Sequence, residues 1–148
     1  MIEAAIEIAV KAHKGQTDKA GAPYILHPLR LMMQFDDVVL KCIAVMHDVI
    51  EDSDFAPEDL REAGISNAVI DGVLTLTHRD GEAYDDYITR IMAHPHARKV
   101  KMADIKDNMD ITRIADLREK DLKRLEKYHR SLKRLIAAEA SQNGSNYA

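Results

Sequence analysis

The feature that most constrains the fold of this chain is the spacing of its apolar residues, which follows the helical period from the first residues onward. In the stretch IEAAIEIAVKAH, apolar side chains recur three and four residues apart, as they do on one face of a helix. Pro28, Pro57 and Pro95 stand where helices are predicted to begin, and Gly64 stands where one is predicted to end. No stretch convincingly alternates apolar and polar residues as a strand does. We therefore expect an all-α fold.

The length of the chain indicates its domain organisation. A chain of 148 residues is most simply one domain with a sizeable core. A long charged helix is predicted over residues 116–140, and its apolar face is marked by Leu117, Leu122, Leu125, Leu132, Leu135 and Ile136. The stretch SQNGSNYA that follows is polar. We expect a single domain of roughly eight helices over residues 1–140 and a frayed tail over residues 141–148.

Composition and charge limit the classes of function. The formal net charge is −4, which does not indicate a broad nucleic-acid-binding surface. The opening stretch MIEAAIEIAVKAHKG has an early acid and no long apolar run, so it is predicted to be neither a signal peptide nor a membrane span. The single cysteine, Cys42, cannot form an internal disulfide and is predicted to be a core residue. We expect a cytoplasmic protein without a nucleic-acid or membrane partner.

The stretch CIAVMHDVIED is the first candidate functional site. On a helix, His47 and Glu51 share one face, as do Asp48 and Asp52, because each pair is four residues apart. Unpaired buried carboxylates are costly, and a divalent cation would remove that cost and use the imidazole as a further ligand. The alternative is a helix end that runs into solvent with its acids on the surface. This stretch alone leaves both interpretations open.

Two further segments strengthen the case for a metal site. In PYILHP, His27 lies between two prolines, and in KVKMADIKDNMD, Asp104 lies beside apolar residues of a predicted helix. With His47 and Asp48, these residues give two imidazoles and two carboxylates on three separate elements, a set that suits Mn²⁺, Fe²⁺ or Zn²⁺. Open positions would remain for water and substrate. Taken singly, His27 is equally explained as a loop anchor, and Asp104 as a buried ion-pair partner of Lys101.

Three segments together resemble a known family. AHKGQ…GAPYILHP, HDVIED and KMADIKDNMD occur in the order and approximate spacing of the hydrolase domain of RelA/SpoT-type alarmone enzymes, within the HD metal-phosphohydrolase superfamily. The resemblance covers residues 9–129, nearly all of the predicted domain. It implies an HD-domain helical bundle that uses Mn²⁺ and removes the 3′-pyrophosphate of guanosine tetra- or pentaphosphate. Because long family members add a synthetase and regulatory domains, this chain is expected to be a stand-alone small alarmone hydrolase.

The resemblance also implies roles for individual residues. The matching metal ligands are His27, His47, Asp48 and Asp104, and the matching acidic pair that handles the attacking water is Glu51 and Asp52. The matching substrate-binding residues are Lys19, Asn108, Arg124 and Tyr128. The chemistry agrees, because a carboxylate one helical turn from a ligand can take a proton from water, and a guanidinium can grip phosphate. The alternatives are that Arg124 belongs to a solvated basic face and that the ring of Tyr128 covers the core.

The sequence departs from the family pattern at two places. After GQ the family carries two adjacent basic residues that help to hold the purine, whereas the matching positions here are Asp18 and Lys19. After the metal-ligand aspartate, the usual Arg-x-x-x-Asn is altered, and Ile105, Lys106 and Asp107 occupy this stretch. A carboxylate accepts from an amino group and repels a carbonyl, so we expect weaker discrimination for guanine, with adenine 3′-pyrophosphates accepted or even preferred. The alternative is that Asp18 points into solvent and never meets the base.

The sequence-based hypothesis is therefore a metal-dependent pyrophosphohydrolase. Its expected substrate is a purine nucleotide with a 3′-pyrophosphate, (p)ppGpp or (p)ppApp, and its products are pyrophosphate and the nucleoside 5′-phosphate. One alternative is another nucleotidase or phosphatase of the HD superfamily. The other is a non-catalytic nucleotide-binding sensor, although a sensor would have no need of Glu51 beside the metal ligands.

Overall fold

The computed structural model describes residues 1–145 of the chain, and within them all regular structure is helical. There are nine α-helices and one 3₁₀ helix in this range, with no strand beyond an isolated bridge between Thr17 and Pro23. The α-helices are α1 (Ile2–Ala12), α2 (Leu26–Met32), α3 (Val38–Met46), α4 (Val49–Asp52), α5 (Pro57–Glu62), α6 (Asn67–Leu76), α7 (Tyr84–Met92), α8 (Pro95–Asn108) and α9 (Glu119–Ser145). The 3₁₀ helix spans Ile111–Arg113. The all-α prediction is confirmed.

The helix boundaries follow the residues that favour them. The Asp37 carboxylate accepts from the backbone N–H of Leu40 at 2.9 Å and caps the start of α3. Pro57 and Pro95 occupy the first positions of α5 and α8, where a missing N–H costs nothing. After α5, Gly64 has a φ of +83°, a left-handed conformation that ends the helix.

Helix α3 runs through the centre of the molecule and packs against α1, α2, α6 and α8. Its residues from Cys42 to Met46 are fully buried. Helix α6 approaches it closely at Gly72, where an added Cβ would lie 2.5 Å from Cδ1 of Ile43. The absence of a side chain at Gly72 therefore lets these two helices pack tightly.

Helix α9 differs from its prediction at both ends. It begins at Glu119 and continues through Ser145, so residues 141–145 of the predicted tail are helical, and residues 146–148 lie outside the described range. The extension is held by Arg98 of α8, which is 2% exposed. Arg98 donates from Nε to Glu139 Oε2 at 2.6 Å and from Nη2 to Gln142 Oε1 at 2.5 Å. Tertiary contacts thus continue a helix that composition alone predicted to end.

The apolar face predicted for α9 is only partly buried. Leu135 is fully buried, whereas Leu117, Leu122 and Ile136 are 48%, 53% and 45% exposed. Leu117 also precedes the helix, because α9 begins two residues later. None of the described helices is both long enough and apolar enough to cross a membrane.

Candidate metal centre and active site

Two buried histidines and a buried aspartate meet between α2, α3 and α8. His27 lies on α2, Asp104 lies on α8, and His47 follows the end of α3; each is at most 4% exposed. His27 Nε2 lies 2.9 Å from Asp104 Oδ1, and His47 Nε2 lies 3.6 Å from the same oxygen. One ligand atom of each residue lies within 4.8 Å of the other two. Three of the four predicted metal ligands thus converge.

Asp48, the fourth predicted ligand, joins this group through His47. Asp48 Oδ2 lies 2.9 Å from His47 Nε2, and the same oxygen accepts a hydrogen bond from the hydroxyl of Tyr24. The other ring nitrogen of His47, Nδ1, donates to the backbone carbonyl of Ala44 at 2.8 Å. Because a carbonyl only accepts, Nδ1 carries a proton, and Nε2 is the ring nitrogen that faces the carboxylates.

The sequence predicted one continuous helix through CIAVMHDVIED, and this prediction is wrong. Helix α3 ends at Met46 and α4 begins at Val49, because Asp48 adopts φ −106° and ψ 2°. In a continuous helix, the neighbouring side chains of His47 and Asp48 would diverge by about 100°. The break brings the imidazole and the carboxylate together instead, and it explains why the structure has one helix more than the eight expected.

Asp48 also belongs to a second group of acids, with Glu51 and Asp52 of α4. Oxygens of these three carboxylates lie within 4.8 Å of one another, and Glu51 and Asp52 are exposed. Glu51 Oε1 accepts from the backbone N–H of His78 at 2.7 Å. Partial burial, together with the charges of Asp48 and Glu51, raises the pKa of Asp52 to about 6. The acidic pair predicted to handle water therefore lies directly beside a predicted ligand.

The sequence allowed Asp104 to be either a metal ligand or a buried ion-pair partner of Lys101, and its contacts fit both interpretations. Its Oδ2 accepts from Lys101 Nζ at 2.8 Å, and its Oδ1 faces the histidines and accepts from Asn108 Nδ2 at 2.9 Å. Burial alone would raise the pKa of Asp104, but Lys101 and the histidines hold it well below the usual range. Burial alone would lower the pKa of His47, but Asp48 and Asp104 raise it well above the ordinary value.

The residues of the site fit a divalent ion. Within residues 1–145, the buried nitrogen Nε2 of His47 makes no hydrogen bond. Imidazole nitrogens and carboxylate oxygens are ligands of Zn²⁺ and of the neighbouring transition ions. A cation would also offset the cost of holding the charges of Asp48 and Asp104 in the interior. The four predicted residues could therefore hold a divalent metal.

A cavity of about 340 Å³ adjoins this centre, and His27 and Tyr24 form part of its wall. All four predicted substrate-binding residues line it: Lys19, Asn108, Arg124 and Tyr128. Two further cations that the sequence reasoning did not single out, Arg30 and Arg113, line it as well. The volume lies at the lower end of the range for small-molecule sites, about 300–1,000 Å³. The structure thus places the predicted substrate residues around one space beside the candidate metal centre.

The two predicted residues of α9 are half-buried at this wall. Arg124 Nη2 donates to Asp121 Oδ1 at 3.0 Å, and the Arg124 side chain is 19% exposed, so it does not lie on a fully solvated face. Tyr128 packs partly against the core while it also lines the cavity. Lys127 Nζ lies 5.1 Å from the centroid of this ring, so a further cation lies close to the wall.

Lys19 is presented by a tight turn that Asp18 organises. Asp18 Oδ1 accepts from the backbone N–H groups of Ala20 and Ala22, each at 2.9 Å. Gly21 completes the turn with a φ of +85°, a conformation that glycine adopts without strain. The Asp18 carboxylate therefore does not simply point into solvent. Its effect on base preference stays a prediction.

Tyr24 and Asp107 contact the predicted ligands but were not singled out as site residues. Asp107 Oδ2 lies 2.6 Å from His27 Nδ1. Burial would raise the pKa of Asp107, but hydrogen bonds from His27 and Arg30 hold it well below the usual range. Spacing offered a signal for Asp107, which lies three residues after Asp104 and thus on the same helix face. No comparable local signal marked Tyr24.

The chain is similar in sequence to several known proteins. No protein-family model matches the chain. Over 121 residues, which are 73% of this chain, it is 33% identical to a GTP pyrophosphokinase of Streptomyces coelicolor. Over 77 residues, 47% of this chain, it is 42% identical to a guanosine-3′,5′-bis(diphosphate) 3′-pyrophosphohydrolase of Vibrio cholerae. The resemblance to RelA/SpoT-type enzymes is confirmed.

The RelA/SpoT resemblance extends to the fold. A solved structure of a metazoan ortholog of SpoT, described as hydrolysing ppGpp, superimposes with a TM-score of 0.74 at 20% identity, and the match covers 93% of this chain and 84% of that one. The predicted HD-type helical bundle is therefore confirmed. The chain spans 14% of the length of the Streptomyces protein and 11% of the Vibrio protein, so it corresponds to a small part of these RelA/SpoT-type relatives.

Proposed function

We propose that this chain is a metal-dependent 3′-pyrophosphohydrolase of purine alarmone nucleotides, (p)ppGpp or (p)ppApp. The observation that carries the proposal is the convergence of buried His27, His47 and Asp104 with Asp48, beside a cavity lined by cations. Relatives named as guanosine-3′,5′-bis(diphosphate) 3′-pyrophosphohydrolases support the same chemistry.

The proposed metal is Mn²⁺, held by His27, His47, Asp48 and Asp104. Two nitrogen and two oxygen donors suit an ion of borderline to hard character. When bound, such an ion lowers the pKa of water and neutralises charge on a phosphoryl group. Lys101 keeps Asp104 ionised, because its ammonium group donates to the oxygen that faces away from the histidines.

The proposed proton acceptors are Glu51 and Asp52. In the reaction, the oxygen of water forms a bond to the phosphorus attached to the 3′-oxygen, and the bond between that phosphorus and the 3′-oxygen breaks. The water proton passes to a carboxylate of this pair, and the 3′-oxygen takes up a proton to become a hydroxyl. Glu51 is the favoured acceptor, since the His78 N–H fixes its carboxylate at 2.7 Å.

The cavity supplies the proposed nucleotide contacts. Lys19 and Arg124 carry positive charge toward an anionic ligand, and the amide of Asn108 and the hydroxyl of Tyr128 can make neutral hydrogen bonds. The Asp18 turn positions Lys19 and leaves one carboxylate oxygen, Oδ2, for an amino group of the base. We accordingly propose that adenine as well as guanine substrates are accepted.

Incubation of the chain with Mn²⁺ and a panel of purine nucleotides, with the products resolved by mass, tests the function. We expect pyrophosphate and the nucleoside 5′-di- or triphosphate from substrates that carry a 3′-pyrophosphate, and no release by Asp104→Asn. Release of inorganic phosphate instead would identify a phosphatase or nucleotidase of the same superfamily. Binding of nucleotide without any product would identify a sensor.

A further inference from the structure

Asp107 lies next to the proposed metal centre without being one of its predicted ligands. Its Oδ2 is 2.6 Å from Nδ1 of His27, and the side chains of His27 and Asp107 are 5% and 9% exposed. The opposite ring nitrogen, Nε2, is 2.9 Å from Asp104 Oδ1. The imidazole of His27 is thus held between two carboxylates, one on each side of the ring.

Two arginines hold the Asp107 carboxylate in place. Arg30 donates to both oxygens, from Nε at 3.0 Å and from Nη2 at 2.9 Å. Arg113 Nη2 donates to the Asp107 backbone carbonyl at 2.6 Å and lies 3.4 Å from Oδ2. A bidentate guanidinium contact fixes both the position and the plane of a carboxylate. The direction from which Asp107 approaches His27 is therefore fixed as well.

We propose that Asp107 is a positioning residue for the metal centre, which selects the form of His27 that carries its proton on Nδ1 and directs Nε2 toward Asp104. This inference rests on the proposed metal site. The two nitrogens of a neutral imidazole are not equivalent, and the hydrogen bond made by one decides which is free to bind a metal. Because Arg30 and Arg113 fix Asp107, the orientation of the His27 ring is fixed by groups of the protein itself.

The second histidine of the site supports this role independently. His47 also uses Nδ1 as a donor, to the backbone carbonyl of Ala44, and also directs Nε2 toward carboxylates. Both rings thus present the same nitrogen to the centre, although one is oriented by a backbone group and the other by a side chain. Only the orienting group of His27 can be removed by substitution without altering the backbone.

Asp107→Asn tests the proposal, because asparagine keeps the shape but not the charge. Its matched control is Asp110→Asn, which removes the same charge and a contact with Arg113 at 3.0 Å but no contact with His27. Removing an orienting partner of a ligating histidine typically costs about 10–100-fold in metal affinity. In a competition titration against a chelator, we expect Asp107→Asn to bind Mn²⁺ about 10–100-fold more weakly, and Asp110→Asn to bind like the parent.

A measurement on the parent chain keeps the proposal testable if Asp107→Asn does not fold. Nitrogen-15 NMR of labelled histidines, with His27 assigned through His27→Gln, should show a protected proton on Nδ1 of His27. Equal Mn²⁺ affinity in the two asparagine variants, or a parent His27 without that proton, would overturn the proposal. A parent that binds Mn²⁺ but releases no pyrophosphate contradicts the proposed function alone, whereas a parent that binds no Mn²⁺ overturns both.

Discussion

At the scale of single residues, the proposed reaction depends most on the carboxylate that is proposed to accept the proton of water. Glu51→Gln keeps the shape of the side chain and its contact with the His78 N–H, but an amide cannot accept the proton. General acid–base catalysis typically contributes about 10²–10⁴-fold, so we expect a loss of that size in kcat with unchanged Mn²⁺ affinity. Asp54→Asn, at an exposed acid nearby, is the control and should turn over like the parent. A near-parental rate for Glu51→Gln would assign the proton transfer to Asp52.

Tyr24 gives a second prediction at this scale. Its hydroxyl donates to Asp48, so Tyr24→Phe removes a hydrogen bond to a charged group, which is worth about 1.5–3 kcal/mol. We expect weaker Mn²⁺ binding, measured by titration, because the Asp48 oxygen that is proposed to bind the metal loses the donor that orients it. Tyr84→Phe is the matched control, since in the described residues its buried hydroxyl interacts with Ser131 and is not hydrogen-bonded to a predicted metal ligand. Equal affinity in both variants would show that Tyr24 does not orient Asp48.

The residues of the site were predictable from sequence to different degrees. His27 and Asp104 are 77 residues apart, yet each stood out because an ionisable side chain occurred in apolar or proline-bounded surroundings. Asp107 is 80 residues from His27 and sits in a charged stretch, so its three-residue spacing from Asp104 was the one local signal that distinguished it from a surface acid. Tyr24 looked like an ordinary loop aromatic. Their contacts depend on how α2 packs against α8, which helical spacing does not specify.

At the scale of helices and loops, Arg90 connects the loop after α6 to the site. It donates to the backbone carbonyls of Thr75 and Thr77 and forms a salt bridge with Glu82 at 2.9 Å. This loop supplies the His78 N–H that holds Glu51. Arg90 therefore stabilises the position of Glu51 through the backbone, not by direct contact.

Replacing Arg90 by glutamine should misplace that loop. A displacement of about 1 Å at a reacting group can cost about 10²-fold, so we expect kcat to fall by up to that factor while Mn²⁺ affinity is retained. Arg134→Gln is the control, because Arg134 donates to Asp85 and Thr89 of α7 but not to the loop. Parental kcat in Arg90→Gln would show that the loop keeps its position without the guanidinium.

The packing of α6 on α3 gives a prediction of stability. Gly72→Ala would place a Cβ 2.5 Å from Ile43 Cδ1, and Ile43 is fully buried and cannot move freely. Overpacking of a core costs about 1–3 kcal/mol, against a gain in helix propensity of at most about 1 kcal/mol. We expect thermal unfolding at a lower temperature than for Asp71→Ala, an exposed position on the same helix. An unchanged Tm would mean that α3 and α6 can move apart at little cost in free energy.

At the scale of the whole molecule, the helical period predicted the all-α bundle because it is repeated in nearly every segment. The helix boundaries that it predicted wrongly have a common cause, which is tertiary contacts. Asp48 breaks the predicted helix where its carboxylate meets His47, and α9 continues beyond residue 140 where Arg98 binds Glu139 and Gln142. Local pattern therefore specifies which segments are helical, whereas the packing of the bundle decides where some of them stop.

The most direct test of the account is the rate of pyrophosphate release from a guanosine 3′-pyrophosphate substrate as Mn²⁺ is added to the metal-free chain. The proposed ligands come from α2, from α8 and from the turn between α3 and α4, and the proposed reaction requires the metal that they bind. We therefore predict that release is absent with chelator and rises to saturation together with Mn²⁺ binding. Asp104→Asn should show neither binding nor release. Release at the same rate in the presence of chelator, or undiminished release by Asp104→Asn, would contradict the account.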